Sequence, residues 1–394
     1  MAPIRVGFIG LSSSGWARGA HLPYLQNGGK YEIVAICNSS AKSAQDAIAL
    51  YNLPSSVKAY GDPEELAKDP NVELVVCSVR VDKHLPTIAP SLKAGKNVFV
   101  EWPLGKNLAE AKELLRLKNE AGVKTADVGL QARQDPVIAT IKQLVDSGKI
   151  GKVLNSTWTG QGENGGQTVN EGYEYLSQRE YGGNLVTIHF GHFIDYVQHG
   201  QSSFPLLLST SLFCTEDEFN LITVLGYGFS PAPKSLLANR RKYQKLLDKD
   251  GKVINEKFEA TFEDTIFLHG TLSTGVPLSF SLRGGKHFKD SPGLDWRIYG
   301  ETGEIRVTSP QAFLQIGHPD TKVQVYDFEK DEIEEVEVKK DEFDEGDKYG
   351  QPAKNVGRLY KGLAEGQVNC SFEDAVLRHE LIDAMYKENG IQGC

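Results

Sequence analysis

The stretch Val6-Gly7-Phe8-Ile9-Gly10-Leu11-Ser12-Ser13-Ser14-Gly15-Trp16 decides how the N-terminal third of the chain is read. An apolar run, Ile4–Ile9, passes straight into Gly10, and Gly15 opens a helical pattern. A strand that turns through glycine into a helix aims backbone N–H groups at an anion, which is the geometry of a phosphate cradle. Gly10 and Gly15 keep the spacing of the first and third glycines of G-x-G-x-x-G, with Ser12 at the middle position. Serine is the smallest polar substitute where a backbone must come close to a pyrophosphate. Alone the match is weak, because glycine turns after strands are common. It nominates Gly10, Ser12, Ser13, Ser14, Gly15 and Trp16 as pyrophosphate contacts.

The next apolar run outward, Ile33–Cys37, falls within one βαβ length of this turn. An Asp or Glu after it would hold the 2′-hydroxyl of an NAD ribose. The chain instead reads Asn38-Ser39-Ser40, followed by Lys42. No carboxylate is there to repel a 2′-phosphate, and hydroxyls with one cation suit it. NADP is therefore favoured, with NAD possible. The same residues also read as an ordinary turn and helix cap.

The pattern that follows sets the architecture. Apolar runs at Ile4–Ile9, Ile33–Cys37, Leu74–Val79, Asn97–Val100 and Thr125–Val128 alternate with helical periodicity at 15–27, 41–51, 62–68, 83–94 and 107–121. Such alternation predicts a doubly wound parallel sheet, a Rossmann-type α/β domain over 1–130, with its crevice at the carboxyl ends of the strands. Gly10–Trp16, Asn38–Lys42, Ser78–His84 and Glu101–Gly105 should meet there.

From about residue 150 the runs change character. Val153–Thr159, Phe204–Leu212, Asn220–Tyr227, Phe258–Leu272, Pro277–Arg283, Trp296–Tyr299 and Val323–Phe328 are rich in Thr, Val, Ile, Phe and Tyr. They predict an α+β domain over 131–394, a largely antiparallel sheet with one or two helices. Residues 160–182 read as loop, Ala238–Lys257 as a surface hairpin or short helix, and the acidic Asp327–Asp347 as a solvated edge strand and loop. Ser371 with Asp374 resembles a capping box that starts a final helix over 371–387.

Composition narrows the function classes. With 394 residues the chain suits two domains. A net charge of −9 argues against general binding to nucleic acid or to an anionic membrane. The five cysteines are scattered, show no metal-ligand spacing and suit a reducing compartment. No apolar run is long enough to span a bilayer, and the N-terminus lacks a signal-peptide shape. A cytoplasmic protein is expected.

The ordered segments VGFIGLSSSGWA, GKNVFVEWPLG, GLQARQDP, GGNLVTIHFGHFID and IYGETGEI together resemble the glucose–fructose oxidoreductase / inositol dehydrogenase (Gfo/Idh/MocA) family. Gly15-Trp16, Glu101-Trp102 and Leu185-Val186-Thr187 with Gly191-His192 look most like the branch that contains the yeast galactose-regulon repressor. The resemblance implies an NAD(P)-binding domain, a substrate domain that also makes a homodimer, and a Glu-Lys-Pro segment shaping the nicotinamide end. Here that segment is Glu101-Trp102-Pro103, so the family lysine is missing. It further implies that His192, with Asp195, takes the acid/base place; the additional family Asp is replaced by Ile188.

Hydride transfer needs a group that takes or gives one proton near neutral pH, and histidine fits. His192 and Asp195 lie one helical turn apart, as catalytic pair or as structural interface residues; His189 shares their face. Trp102 offers a flat face for a nicotinamide or sugar, or is a core tryptophan. Arg133 suits a substrate hydroxyl or carboxylate, or a salt bridge at the domain junction. Lys286 is the strand-end lysine nearest in role to the missing one. His84 is placed on the cofactor side or in a cap. Two functions follow: an NAD(P)-dependent oxidoreductase on a small sugar or polyol-like substrate, or a nucleotide-binding regulator that binds a transcription activator protein, in which case the nucleus is also expected.

Overall fold

The computed structural model describes residues 2–162, 164–201, 233–346 and 348–392. The chain forms two compact units, one of Met1–Gln134 with Lys340–His379, the other of Asp135–Lys339 with Glu380–Cys394.

In the first unit the strands are β1 (Ile4–Ile9), β2 (Tyr31–Cys37), β3 (Lys58–Tyr60), β4 (Leu74–Cys77), β5 (Asn97–Glu101) and β6 (Ala126–Gly129). They make one parallel sheet in the order β3-β2-β1-β4-β5-β6, the expected doubly wound topology. The helices are α1 (Trp16–Ala20), α2 (Leu22–Asn27), α3 (Ala41–Leu50), α4 (Pro63–Ala67), α5 (His84–Lys93) and α6 (Leu108–Glu120). The helical pattern over 15–27 thus splits at His21, because Pro23 in the first turn of α2 starts a new helix there. Ser40, Asp62 and Asn107 cap α3, α4 and α6 through their side-chain oxygens.

The second unit holds α7 (Pro136–Asp146), β7 (Val153–Gly162), β8 (Thr168–Asn170), α8 (Gly191–Gly200), β9 (Lys234–Ala238), β10 (Tyr243–Leu247), β11 (Val253–Glu259), β12 (Thr265–Thr271), β13 (Pro277–Gly284), β14 (Leu294–Gly300), β15 (Gly303–Ser309), β16 (Lys322–Asp327) and β17 (Glu332–Val336). Its main sheet has eight strands in the order β17-β16-β15-β14-β7-β13-β12-β9, antiparallel except between β7 and β13. Trp158 stacks on its cross-strand neighbour Phe280 at 4.1 Å between ring centroids, and Phe193 and Tyr196 of α8 join that aromatic layer. Tyr196 accepts a hydrogen bond from Trp158 Nε1 at 3.1 Å and donates one to the Ala312 carbonyl at 3.1 Å. The opposite face of the sheet is polar: Thr157, Thr159, Ser279, Ser281 and Arg297 alternate with the buried residues of their strands. On the described strands the large apolar side chains Trp158, Phe280, Leu282, Trp296 and Ile298 are buried, with Leu236, Phe267 and Tyr299 exposed.

Of the two alternatives for Ala238–Lys257 the structure has the hairpin, β10 with β11, extended by β8 into a three-stranded sheet. The run Phe258–Leu272 is two strands, since the buried bend Ala260–Asp264 separates β11 from β12. Phe204–Leu212 and Asn220–Tyr227 lie outside the described residues.

The C-terminal segment departs most from the division at 130. Helix α9 (Gln351–Ala364) and the first half of α10 (Phe372–Glu388) belong to the first unit. Tyr360 of α9 stacks on Tyr24 and meets Tyr31 and Phe99, closing one aromatic core with Phe343 and Tyr349. Arg358 of α9 binds Asp341 at 2.7 Å and Asp344 at 2.6 Å. The acidic run 327–347 is therefore an edge strand, β17, followed by a clasp on α9 rather than a freely solvated loop. Ser371 caps α10 as expected, with Asp374 N donating to Ser371 Oγ at 3.1 Å and Ser371 N to Asp374 Oδ2 at 3.2 Å.

Candidate functional site

In the first unit the glycine turn closes the end of β1. Gly10 N donates to the Cys37 carbonyl at 3.0 Å, and Ser78 N to the Ile9 carbonyl at 3.0 Å, so the ends of β1, β2 and β4 are tied together. Gly10 has φ +96°, and a Cβ there would run into the Ser78 carbonyl and Val79. Gly15 also has φ +96°, but a Cβ there would meet only Ser12 Oγ, at 4.0 Å. Ser12, Ser13, Ser14 and Gly15 are exposed and Trp16 is half-buried. Close packing behind Gly10 and room beside Gly15 fit a pyrophosphate lying against the turn. Because α1 is a single short turn, the anion would rest on the N–H groups of the turn itself.

The residues expected to read the ribose divide into two kinds. Asn38 Nδ2 donates to the Leu11 carbonyl at 2.8 Å and the Ser43 carbonyl at 3.1 Å, so this side chain holds the turn. Ser40 Oγ caps α3 by accepting from Ser43 N at 3.1 Å. Ser39 is exposed, and the exposed Lys42 pairs with Asp46 one turn along α3. Sequence reasoning missed Tyr51, which donates to the Ser12 carbonyl, and Arg18, which donates to the Ser13 carbonyl at 2.9 Å.

Beyond the turn, the structure redistributes the candidates of this unit. Glu101 Oε1 lies 2.7 Å from Nε2 of the fully buried His21, whose Nδ1 is 2.7 Å from the Tyr360 hydroxyl. Nothing near Glu101 in sequence announces that relay, since Tyr360 is on α9. Trp102 is 4% exposed, and its ring lies 4.9 Å from that of buried His379. The flat face expected to meet a ligand is packed in the core. His84 is buried, with Nδ1 2.9 Å from the Pro103 carbonyl and Nε2 3.0 Å from the Val79 carbonyl. Burial lowers its pKa, and the ring staples the loop after β4 to the loop after β5 instead of facing a cofactor. Arg133 is buried and donates to the Asn369 carbonyl at 3.0 Å and to Asp374 at 3.3 Å. It fastens the start of α10, inside its own unit, and is not placed to greet a substrate.

In the second unit the segment Gly182-Gly183-Asn184 starts a helix whose first turns, Leu185–Phe190, are π-helical before α8 continues. Asn184 accepts from Val186 N at 2.8 Å and Thr187 N at 3.1 Å, while Thr187 Oγ1 accepts from Asn184 N at 3.0 Å. π turns often mark functional positions because they re-aim side chains. Here they precede His192 and Asp195, both buried and one turn apart on α8. Burial, with His189 nearby, pushes His192 down to about 3 against the opposing pull of Asp195. Burial holds His189 down near 4, and its Nε2 lies 3.0 Å from Asn164 Nδ2. Both rings are thus neutral at pH 7, and Nδ1 of His192 is a buried polar atom with no hydrogen bond. Lys286 is exposed just after β13. No cluster of metal-ligating side chains occurs among the described residues, and none of their helices is long and apolar enough to cross a membrane.

Residues 4–129 match the family model described as oxidoreductase family, NAD-binding Rossmann fold (GFO_IDH_MocA), and 136–230 with 220–309 match the Gal80p C-terminal domain. Residues 4–129 are a Gfo/Idh/MocA-type NAD-binding Rossmann domain. The chain is 27% identical to the galactose/lactose metabolism regulatory protein GAL80 of Saccharomyces cerevisiae, covering 98% of this chain and 93% of that one. It is 28% identical to the dehydrogenase aclE of Aspergillus oryzae, covering 98% and 95%. Among solved structures, a super-repressor mutant of Gal80p from Saccharomyces cerevisiae superposes with a TM-score of 0.83 at 26% identity, covering 99% of this chain and 96% of that one. A levoglucosan dehydrogenase in complex with NADH and levoglucosan shares the fold, with a TM-score of 0.71 at 16% identity, covering 98% and 97%. An NAD(P)-binding Rossmann fold with a Gal80p-type second half is the family frame, and that frame contains dehydrogenases as well as regulators.

Proposed function

We propose that this protein is an NAD(P)-dependent oxidoreductase acting on a CH–OH group of a sugar- or polyol-like substrate, with NADP favoured over NAD. The observation that carries the reading is the buried pair His192 and Asp195 on α8, where a neutral imidazole keeps an unengaged Nδ1. Such a ring accepts the proton of a substrate hydroxyl, and Asp195 stabilises the imidazolium that results. When bound, the nicotinamide would accept the hydride. The turn Gly10–Gly15 would hold the pyrophosphate, with Asn38 and Tyr51 fixing its shape. Ser39 and Lys42 would flank a 2′-phosphate; the Lys42–Asp46 pair is exposed, and exposed pairs contribute only about 0–1 kcal/mol, so the lysine is readily recruited.

The test is NADPH formation across a screen of aldoses and polyols. His192→Asn should lower turnover by about 10²–10⁴-fold with NADP affinity unchanged. Absence of turnover with either nucleotide in the wild type would refute the enzyme reading.

One observation favours a second reading. Trp102 stands where the family resemblance expects a proton-relaying lysine, and its face is packed against His379. A protein that keeps its nucleotide and regulates a transcription activator, in cytoplasm or nucleus, has no use for that lysine. Tight NADP binding without turnover supports this reading.

In both readings the chain forms a homodimer through the open, hydroxyl-rich face of the eight-stranded sheet. Small polar side chains such as Thr157 and Ser279 permit close approach of two such faces. Sedimentation at micromolar concentration that shows only a 43.4 kDa species excludes the dimer.

A further inference from the structure

Most arginines of the described chain are clasped by carboxylates: Arg5 by Glu73, Arg80 by Asp82, Arg306 by Asp295, Arg358 by Asp341 and Asp344. Arg240, Arg241 and Arg283 have no such partner among the described residues, and all three leave the same end of the eight-stranded sheet. Ala238 on β9 pairs with Thr265 on β12, which pairs with Arg283 on β13. The next residue of β13, Gly284, pairs with Gly162 at the end of β7.

Two glycine turns are packed backbone to backbone at this end. Gly284 leaves no room for a Cβ against Gly165, and a Cβ at Gly285 would lie 3.5 Å from Gly166 Cα and 3.7 Å from Arg241 Nη1. The half-buried Arg241 donates to the Gly165 carbonyl at 2.7 Å. The residue before it, Asn164, is the one that holds His189 Nε2 at 3.0 Å. Arg241 and His189, just before α8, therefore contact consecutive residues of one turn, Gly165 and Asn164, and Lys286 follows Gly285. In a chain of net charge −9, arginines without a carboxylate partner among the described residues, next to the turn that contacts His189, favour an anion; the buried Asp264 carboxylate at this end accepts from Arg240 N at 3.1 Å and Thr265 Oγ1 at 2.9 Å.

We propose that the substrate is a polyhydroxy acid, a sugar derivative bearing a carboxylate or phosphate, and that Arg241 binds its anionic group with Arg240 and Lys286 flanking it. The word substrate rests on the oxidoreductase reading. A guanidinium held in place by a backbone carbonyl keeps its remaining N–H donors in a fixed fork, which suits both oxyanions. The close backbone packing of Gly284 on Gly165 and the half-burial of Arg241 suit a small ligand. Phe288, 79% exposed on the loop after Lys286, and Tyr243, 49% exposed just beyond Arg241, are features that an acidic protein segment would prefer.

The test is calorimetric titration of the intact, NADP-loaded protein with gluconate, 6-phosphogluconate, glucitol and myo-inositol. The acids should bind at least about tenfold more tightly than the neutral polyols, with the advantage shrinking as salt is added. The two acids share a carboxylate, so tighter binding of 6-phosphogluconate than of gluconate assigns recognition to the phosphate, and equal binding assigns it to the carboxylate. Arg241→Gln can still donate to Gly165 but carries no charge, and should erase the advantage while NADP affinity stays unchanged; Arg241→Lys should retain part of it. Equal binding of acids and neutral polyols, or acid binding untouched by Arg241→Gln, overturns the proposal. So does binding of a Glu/Phe-rich peptide by a protein that ignores both sugar acids. If neutral polyols are oxidised and acids are not bound, the proposal fails and the oxidoreductase reading stands. If acids bind through Arg241 without turnover, the anion site stands and the oxidoreductase reading fails.

Discussion

Trp102→Lys restores the residue type that the family resemblance expects after Glu101, and it tests what the tryptophan does. The indole is 4% exposed and lies against His379, a ring that burial holds down near 3. Emptying a core site of this size costs about 3–5 kcal/mol. The lysine stem refills part of the volume, but its ammonium enters a pocket that already keeps two imidazoles, His84 and His379, neutral. A net loss of about 3 kcal/mol or more is expected, and for a unit of this size that lowers the melting temperature by about 6–12 °C. The loss also has a pH signature. The introduced amine has its folded-state pKa driven below the unfolded value of about 10.4. The deficit is therefore full at neutral pH and shrinks as pH rises toward 10. Trp102→Phe, which keeps a ring on His379, should lose clearly less. Scanning calorimetry at pH 7 and pH 9.5, with NADP affinity measured alongside, decides the matter. If Trp102→Lys melts within about 2 °C of wild type at both pH values, the side chain sits in a wet crevice and the core assignment is wrong.

Gly10→Ala should abolish NADP binding and lower stability by about 2 kcal/mol or more, because φ +96° is strained for any side chain and the Cβ meets Ser78 and Val79. Gly15→Ala carries the same backbone strain without the collision, so a urea titration of both should rank Gly10→Ala as the worse. Asp127 is fully buried and accepts from Val128 N at 2.9 Å, Cys370 N at 2.8 Å and Asn369 N at 3.0 Å. Asp127→Asn turns a donor toward one of these N–H groups and should cost about 1–3 kcal/mol in the same assay. Burial pushes the Asp127 carboxyl up to about 6, above its unfolded value of about 3.9. Its contribution is therefore complete below pH 4 and is lost as pH rises through 6; comparing unfolding at pH 4.5 and 7 should show that slope in the wild type and not in Asp127→Asn.

The parts of the fold that the sequence announces are those whose signal is local. Strands buried on both faces are continuous apolar runs, so β1, β2, β4, β5 and β6 stand out. Lys58-Ala59-Tyr60 makes the edge strand β3 with no apolar run to mark it. Ser40 and Ser371 declare their helices because a cap is a contact between near neighbours. The glycine turn is legible for the same reason. Glu101, Trp102, His84 and Arg133 are not, because what each one touches lies far along the chain or is backbone: Tyr360 through His21, His379, the Pro103 carbonyl, and Asp374. Their spacing is correct, yet spacing says nothing about which side of a strand end is already filled. The acidic run 327–347 misleads likewise, since the partners of Asp341 and Asp344, Arg358 and Lys354, lie on α9.

Lys340–His379 belongs to the first unit although some two hundred residues separate it from Gln134. On a ribosome adding about 5–20 residues per second, the parallel sheet emerges roughly 10–40 s before α9 is made. For that interval Tyr24, Tyr31 and Phe99 wait without Tyr360, and Asp127 waits without the Asn369 and Cys370 amides. The nascent chain must carry a bare aromatic surface through the synthesis of an entire second sheet. Dependence on chaperones, and insoluble expression of any fragment ending near Gln134, are the biological cost of finishing the first unit last.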